Sequence, residues 1–302
     1  MKFLKGKKQA VICVIFSAFF FSLMSTFVRL SGDLPTFQKA FFRNIIALIV
    51  VTIYMLFKKE SFLPKKQAIM PIFGRAVFGL AGIILNFMAI DNLNIADAAI
   101  LNKMSPFFTV LFTALLLKEK IGKIDILFLL IAFSGALFVV KPTFNFTSPY
   151  AYVGLASGLA VGVAYTFLRV CGRRGEQGTK IVFWFSLFST IVLTPLFIIN
   201  YQPISNLQLL YLCLAGASAG CAQFFVTIAY TRATAKEVSV FDYSQVVFAA
   251  ILGVIVLGQT PDVFSIIGYI IIVGVSLIKW LLDVKKDTQT STELEAENLK
   301  NS

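Results

Sequence analysis

Apolar runs, each long enough to cross a bilayer and each ended by charge, proline or glycine, follow one another along almost the whole chain. A hydrocarbon core of ~30 Å needs roughly 20 residues of helix, so the pattern predicts an all-α membrane protein with ten transmembrane helices. The predicted spans are 9–30, 38–57, 68–90, 94–117, 124–140, 149–170, 180–200, 207–230, 235–257 and 263–282. The segment 287–302 is polar and lacks aromatic residues, which predicts a disordered cytoplasmic tail.

The apolar pattern repeats once within the chain. The segment 17–30 aligns with 157–170 at an offset of 157 − 17 = 140 residues, and Asp97 falls on Glu237 in the same register. Each copy holds five predicted helices, an odd number, so the second copy must lie inverted in the membrane. Inverted repeats with a site near the bilayer midplane are a recurring architecture of secondary transporters. The two predicted repeats cover 1–142 and 149–286.

Basic residues cluster in alternate gaps between the predicted helices. With the N-terminus inside, the cytoplasmic segments hold 20 Lys and Arg, and the outer segments hold three, Arg29, Lys39 and Lys141. Because positive residues are retained on the cytoplasmic side, we predict a multi-pass protein of the cell's inner or plasma membrane with both termini in the cytoplasm. The net charge of +12 is then a topology signal. The predicted partner is the lipid bilayer and not a nucleic acid.

The residue types that catalysis and metal binding need are scarce. The chain has no histidine, and its four cysteines fall in or beside apolar runs without paired spacing, so we expect no catalytic residues, no metal and no cofactor. The chain has no Walker motif, so we expect that it does not itself hydrolyse ATP to drive transport. A membrane-embedded enzyme and a channel remain as alternatives to a carrier. Substrate turnover in detergent would indicate an enzyme, and saturable flux with countertransport would indicate a carrier.

The fourth predicted helix places polar groups where hydrocarbon makes them costly. Lys103 lies roughly 13 Å into this helix by the rise of 1.5 Å per residue. The ninth helix carries Asp242 one position before the equivalent of Lys103, and we hypothesise that the two charges pair across the interface between the repeats. The fourth helix also carries one polar stripe at helical spacing. The stripe is interpreted as a cavity wall, with close helix packing as the alternative. The stripe consists of Asn102, Ser105, Thr109 and Thr113.

Further candidate substrate-binding residues lie on the helices that we expect at this interface. We expect Lys103 to bind a carboxylate or phosphate and Asp242 an ammonium or sulfonium, while tyrosines stack on an apolar moiety. That distribution suits a zwitterion. For Arg75 and Asn86 a role in packing is an equal alternative. The further candidates are Ser22, Arg75, Asn86, Tyr165, Tyr243 and Gln245.

Five residues are predicted to serve the structure or the gating of the helices. Pro106 lacks an N–H and crowds the carbonyl four residues earlier, which predicts a helix loosened beside the stripe, with a harmless kink as the alternative. Arg43 lies about 8 Å into its helix, and we expect it to extend toward the membrane surface. Glu119 falls among lysines at the cytoplasmic end of its helix. Gly158 and Gly162 allow a close approach of backbones.

Together these residues resemble the drug/metabolite transporter superfamily, in particular its EamA-type permeases. The resemblance covers 9–282 and implies ten helices in two inverted repeats that transport small metabolites by alternating access. The second half departs from the pattern, with Val246 in place of the proline and Gln259 in place of the glutamate. The matching features are Phe41-Phe42-Arg43, Ala89, the stretch from Pro106 to Glu119, and Gly135.

The resemblance implies a small-molecule substrate, since such permeases mostly move amino acids, metabolites or drugs, often outward. We expect an amino-acid-like or zwitterionic compound. The alternatives are drug export and S-adenosylmethionine uptake, because the run Phe241-Asp242-Tyr243 looks like the subgroup of S-adenosylmethionine carriers. Proton coupling would use Asp97, Glu237 or Asp242, with exchange or facilitated diffusion as the alternative. Whether the protein forms a homodimer stays open.

Overall fold

The computed structural model of the protein describes residues 2–92, 95–141, 149–258 and 261–300, without the side chains of 2–6, 90–91, 95–98, 257 and 284–300. Over these residues the chain is helical and contains no strand. Two short 3-10 turns, Lys66–Ala68 and Ser239–Tyr243, complete the elements. The α-helices are α1 (Lys2–Leu30), α2 (Thr36–Phe57), α3 (Ile69–Asn92), α4 (Ile95–Asn102), α5 (Ser105–Leu117), α6 (Lys123–Val140), α7 (Pro149–Arg173), α8 (Gly178–Ile199), α9 (Asn206–Arg232), α10 (Ala235–Val238), α11 (Ser244–Leu257) and α12 (Val263–Lys300).

Ten segments of the described chain are long and apolar enough to cross a membrane, five in each half. This confirms the predicted all-α fold of ten transmembrane helices in two inverted five-helix repeats. Large apolar side chains such as Phe57, Leu115 and Ile255 are exposed on the outside of the bundle, where lipid would cover them. We call the side of the bundle on which α1 begins the N-terminal face and the side on which it ends the far face.

The two repeats pack against each other through equivalent helices. Helix α1 lies along α9, and α3, the first-repeat equivalent of α9, lies along α7; helices α6 and α12 pair with each other at the side. Small residues bring these backbones together. A Cβ at Gly82 would stand 2.7 Å from Val161 Cγ2, and one at Gly216 would stand 2.5 Å from Ile46 Cβ. The core is therefore shared between the repeats.

The fourth and ninth predicted spans, 94–117 and 235–257, are present as membrane-length segments, and each is interrupted in its backbone. Helix α4 ends at Asn102 and α5 begins at Ser105; we call Lys103 and Met104 the first break. In the second repeat the 3-10 turn Ser239–Tyr243 separates α10 from α11 and forms the second break. Hydropathy measures polarity and not backbone continuity, which is why it missed both breaks.

The first break explains the position of Pro106. This proline is the second residue of α5, where a missing N–H leaves no hydrogen bond unmade because the first turn of a helix has no acceptors for its N–H groups. The predicted loosening of the helix at this proline is thus present, in the form of a complete interruption. In the second repeat the interruption is the 3-10 turn Ser239–Tyr243, and Val246, the equivalent of Pro106, lies in the first turn of α11.

Helix α12 continues to Lys300, across the segment for which the sequence predicts a disordered tail. The disorder predicted for 287–302 stays a prediction. The segment contains no proline or glycine, and its last residues include several Glu, Leu, Ala and Lys. These residues have high intrinsic helix propensity, which accounts for a helical backbone in a polar segment.

Candidate functional site

A cavity of about 180 Å³ lies between the two repeats, beside both breaks. Its walls come from α1–α4, α5, α7–α9, the second break and α11. Nine of the residues predicted from the sequence line it: Arg43, Arg75, Asn86, Asn102, Lys103, Ser105, Tyr165, Asp242 and Gln245. The inverted repeats therefore enclose a polar space in the interior of the bundle.

Lys103 of the first break and Asp242 of the second break meet at this cavity. The Lys103 Nζ lies 3.4 Å from Asp242 Oδ2 and donates a 2.7 Å hydrogen bond to Gln245 Oε1. The side chains of Lys103 and Asp242 are 13% and 6% exposed. The contact that we predicted between them is present. Because each break interrupts a helix, the charged groups lie beside irregular backbone at the centre of the bundle, an arrangement found where such backbone lines a cavity.

Two of the predicted substrate contacts support the breaks and do not line the cavity. Tyr243 is fully buried, and its hydroxyl donates a 3.0 Å hydrogen bond to the carbonyl oxygen of Lys103. Ser22 is 1% exposed and donates 2.9 Å bonds to the carbonyl oxygens of Gln245 and Ala18. The prediction placed both on the right side of their helices. It did not anticipate that Tyr243 would donate to the Lys103 carbonyl in the first break or that Ser22 would donate to the Gln245 carbonyl in α11.

Arg75, which lines the cavity, is held in position by an aromatic ring and a side-chain amide. Its guanidinium lies 4.0 Å from the centroid of the Phe185 ring, and its Nη2 donates a 2.8 Å hydrogen bond to Gln223 Oε1. The residue is 3% exposed. The sequence analysis missed Phe185 and Gln223. Gln223 could have been identified as a candidate from the sequence, because it places a side-chain amide inside the apolar stretch of α9, where such groups are costly.

Arg43 does not extend toward the membrane surface, and that expectation was wrong. The residue is 8% exposed and lines the cavity, where its Nε has no hydrogen-bond partner among the described residues. The physical reason is that the cavity offers a polar environment nearer to the guanidinium than the membrane surface does. Depth counted along a helix cannot detect such an internal space.

The remaining candidates on the polar stripe divide into two groups. Asn102 and Ser105 line the cavity, and Asn102 Nδ2 donates a 3.1 Å hydrogen bond to Ser157 Oγ. Asn86 of α3, outside the stripe, also lines the cavity, and its Oδ1 is buried without a partner in the described chain. Thr109 and Thr113, by contrast, are buried and bond to carbonyl groups of their own helix. The stripe is therefore a cavity wall at its first half and a packing surface at its second half.

The two predicted glycines of α7 lie against the first break and the start of α5. A Cβ at Gly158 would stand 2.6 Å from the carbonyl oxygen of Leu101, and one at Gly162 would stand 2.5 Å from Phe108 Cβ. Contacts this short do not occur for real Cβ atoms, so only glycine lets α7 approach so closely. The glycines position the broken helix through packing, as expected for a structural role.

Polar contacts close the N-terminal face between the repeats. Glu119 Oε1 accepts a 2.8 Å hydrogen bond from Arg169 Nε and lies 4.0 Å from Arg173 Nε. On the same face Lys236 donates a 2.8 Å bond to the carbonyl oxygen of Lys120. Glu119 thus joins the end of α5 to the end of α7, away from the cavity. We call these contacts the seal.

The cavity deepens from the far face toward the seal. Ser25, five residues before the end of α1 on the far face, is exposed, while Phe21 one turn deeper is 8% exposed. Arg75, six residues after the start of α3 on the N-terminal face, is 3% exposed. The space is accessible from the far face and closed at the N-terminal face.

The arrangement suits the binding of charged groups. Within the part of the chain that the structure describes, no group of three or more His, Cys, Asp or Glu could hold a metal ion. Of the three carboxylates considered for proton coupling, Asp242 lines the cavity, and Glu237 accepts a 2.9 Å bond from the Thr234 N–H and pairs with Lys7 instead. The side chain of Asp97 lies outside the described residues.

Comparisons with known proteins agree with this architecture. The EamA-like transporter family matches residues 8–141 and again 148–280. The pseudopaline exporter of Pseudomonas aeruginosa (strain UCBPP-PA14) is 34% identical over 88% of this chain and 94% of its own length. Solute carrier family 35 member G1 of Homo sapiens is 29% identical over 88% of this chain and 78% of its own. One solved crystal structure aligns with a TM-score of 0.77 at 20% identity, over 91% of this chain and 97% of that one, which supports the fold alone.

Proposed function

The chain belongs to the EamA-like transporter family, and on this basis we propose that it exports a small amino-acid-like compound by alternating access. That it is a membrane transporter follows from the family. The substrate class, the direction and the mechanism are our proposal. The name of the 34% identical relative, an exporter, supports the direction.

One observation carries the proposal: the contact of Lys103 with Asp242 and Gln245 where the two broken helices meet at the cavity. A zwitterion offers a carboxylate to the lysine and an ammonium to the aspartate, so it can replace the internal pair with two pairs of the same kind. An unpaired charge at this depth is costly. In the empty carrier, Lys103 and Asp242 neutralise each other. When a zwitterion takes the place of this ion pair, neither charged side chain is left without a partner.

The orientation of the carrier follows from its charges. We propose that both termini are cytoplasmic, because positive residues concentrate in the segments on the N-terminal face. The seal is then cytoplasmic and the cavity faces outward. Alternating access requires the contacts of Glu119 with Arg169 and Arg173 to open when the cavity closes on the far face. Glu119 is thus a gating residue in this proposal and not a substrate ligand.

Transport by reconstituted protein tests the proposal. Proteoliposomes loaded with radiolabelled amino acids and related compounds should release at least one of them with saturable kinetics and countertransport. Lys103→Ala and Asp242→Ala should each lower the initial rate by at least about tenfold, the loss expected for one charge-assisted interaction. Lys58→Ala, an exposed lysine at the end of α2, is the matched control.

Two outcomes would count against the proposal. Wild-type rates in both cavity variants would remove the assigned site, and non-saturable flux without countertransport would favour a channel. Dissipating the pH gradient with an ionophore separates proton coupling from exchange or facilitated diffusion. Coupling through Asp242 requires that the rate then fall in wild type.

A further inference from the structure

Two buried arginines of the cavity have no anionic partner among the residues that the structure describes. Arg43 and Arg75 are 8% and 3% exposed, and neither forms an ion pair with a carboxylate that the structure describes. We propose that they form an oxyanion subsite that receives a second carboxylate of the substrate, apart from the groups that engage Lys103 and Asp242. The inference rests on the proposed function and narrows its substrate to amino-acid-like compounds with an additional acidic group.

The hydrogen bonding of the arginines supports this subsite. The Nε atoms of Arg43 and Arg75 are both buried without a partner in the described chain, as is Asn86 Oδ1 on the same cavity. Buried polar groups in native proteins are nearly always satisfied, and each exception requires an explanation. A bound carboxylate would supply acceptors to both guanidinium groups, since Arg matches carboxylates in a bidentate geometry.

Arg75 is positioned in advance for such a ligand. Phe185 and Gln223 hold its guanidinium from two directions. Helix α3 leaves room for it with Gly79, where a Cβ would stand 1.9 Å from Arg75 Nη1 and 2.9 Å from Phe185 Cε2. The amide of Gln223 is neutral, so it orients the arginine without cancelling the charge. An arginine that served only to pack the helices would not need this preparation.

The charges of the cavity also favour an acidic compound. Arg43, Arg75 and Lys103 contribute three positive charges, and Asp242 contributes one negative charge among the lining residues. Like charges that line one small cavity repel each other. A ligand with two carboxylates and one ammonium carries a net charge of −1 and relieves this repulsion. A cationic compound such as a sulfonium would increase it, and it is therefore disfavoured as substrate.

Ligand-dependent thermal stability of the purified full-length protein tests the subsite. The probes are L-glutamate, L-glutamine and L-lysine, which share one amino-acid end and differ in the charge of the other, together with glutarate, which has two carboxylates and no amine. All are compared at constant pH and ionic strength. We expect glutamate to stabilise wild type at a concentration at least about tenfold lower than glutamine, as a charge-assisted bond predicts, and lysine to be the weakest.

Variants then assign the effect to the arginines. Arg43→Gln and Arg75→Gln should each abolish the preference for glutamate over glutamine. Gly79→Ala should reproduce the effect of Arg75→Gln with the positive charge retained, because the new methyl group displaces the guanidinium. Arg29→Gln is the matched control, since Arg29 is exposed at the end of α1 outside the cavity. If a glutamine variant does not fold, Gly79→Ala and the ligand comparison in wild type still decide the question.

The outcomes separate the subsite from the proposed function. If neither glutamate nor glutarate stabilises wild type more than it stabilises the arginine variants, the subsite is overturned. If glutamine binds as tightly as glutamate and its binding requires Lys103 and Asp242, the proposed function stands without the subsite. If glutamate binds through the arginines but proteoliposomes transport no compound of the panel, the subsite stands and the proposed function fails.

Discussion

Helices α3 and α9 occupy equivalent places in the two repeats, yet they present different chemistry to the interior. Helix α3 lines the cavity with Arg75, Gly79, Gly82 and Asn86. The positions 140 residues later in α9 are Ala215, Ala219, Ala222 and Val226, each at most 1% exposed. One copy thus carries binding groups where the other carries close apolar packing.

This difference shows what the duplication conserves and what it does not. The backbone pattern is shared, since both repeats break the same helix and pair equivalent helices with each other. The charges lie mainly in the first repeat, with Asp242 as the contribution of the second. Substitutions at equivalent positions of the two repeats should therefore have unequal effects, which three such pairs test: Lys103 and Tyr243, Asn86 and Val226, and Gly158 and Ala18.

The largest difference is expected between Lys103 and its equivalent Tyr243. Lys103→Ala leaves the carboxylate of Asp242, 6% exposed, without a cation, which should cost about 3–5 kcal/mol of unfolding free energy. Tyr243→Phe removes one neutral hydrogen bond to the Lys103 carbonyl and should cost about 1 kcal/mol. Thermal unfolding in detergent measures both, with Lys58→Ala as control. Adding Asp242→Asn to Lys103→Ala should restore stability, and a failure to do so would show that the pair is not the cause.

A smaller difference is expected between Asn86 and Val226. Val226→Asn buries an amide among apolar side chains, where Val226 is 0% exposed, and should destabilise the protein by about 1–3 kcal/mol. Asn86→Val removes an oxygen that already lacks a partner in the described chain and should leave the melting temperature unchanged. Equal losses at the two positions would contradict the assignment of the α3 face to the cavity. The same thermal assay decides.

The next pair is Gly158 and its equivalent Ala18. Gly158→Ala forces α7 away from the carbonyl group of Leu101, at a cost of about 1–3 kcal/mol for an overpacked contact. Ala18→Gly lowers helix propensity by about 1 kcal/mol and creates no collision. We expect Gly158→Ala also to lower the transport rate, because it displaces the first break. If the Gly158→Ala variant transports as fast as the Ala18→Gly variant, Gly158 does not position the binding site.

The smallest effect is expected for the exposed ion pair of Lys141 with Asp262, whose side chains are 43% and 51% exposed. Lys141 lowers the pKa of Asp262 to about 2. The pair therefore contributes stability above the ordinary pKa of 3.8, and this contribution is lost as the pH falls through about 2. Solvent and salt screen it, so Asp262→Asn should barely change the melting temperature at pH 7. The comparison variant is Asp125→Asn, which breaks the part-buried hydrogen bond from Lys279 at the other end of the same helix pair. A larger loss at Asp262 would contradict the expected order.

Hydropathy and charge were sufficient to predict the ten spans and the inverted repeats, because the bilayer imposes length and polarity on every spanning helix. The register of 140 residues brought Lys103 and Asp242 close to equivalent depth, and their contact followed from the cost of an unpaired charge. These features were predictable because each depends on the sequence of a single helix or on the comparison of two equivalent helices.

The remaining features depend on how the helices pack in three dimensions. The depth of Arg43 predicted an outward extension, but an internal cavity lay nearer. Tyr243 and Ser22 were predicted as ligands, whereas their hydroxyls donate to the carbonyl oxygens of Lys103 and Gln245 on the other repeat. Gln223 and Phe185 approach Arg75 from the other repeat, and no local pattern connects residues 148 positions apart.

The first break also has a consequence for biogenesis. Helices α4 and α5 contain 8 and 13 residues, and at 1.5 Å per residue they are about 12 and 20 Å long, each too short to cross a ~30 Å core. The two pieces must therefore enter the membrane as one unit, with Lys103 in the middle. The acidic partner of this lysine lies 139 residues later in the chain. Among the residues that the structure describes, the ion pair of Lys103 therefore forms only after the second repeat has been synthesised and the two halves have assembled.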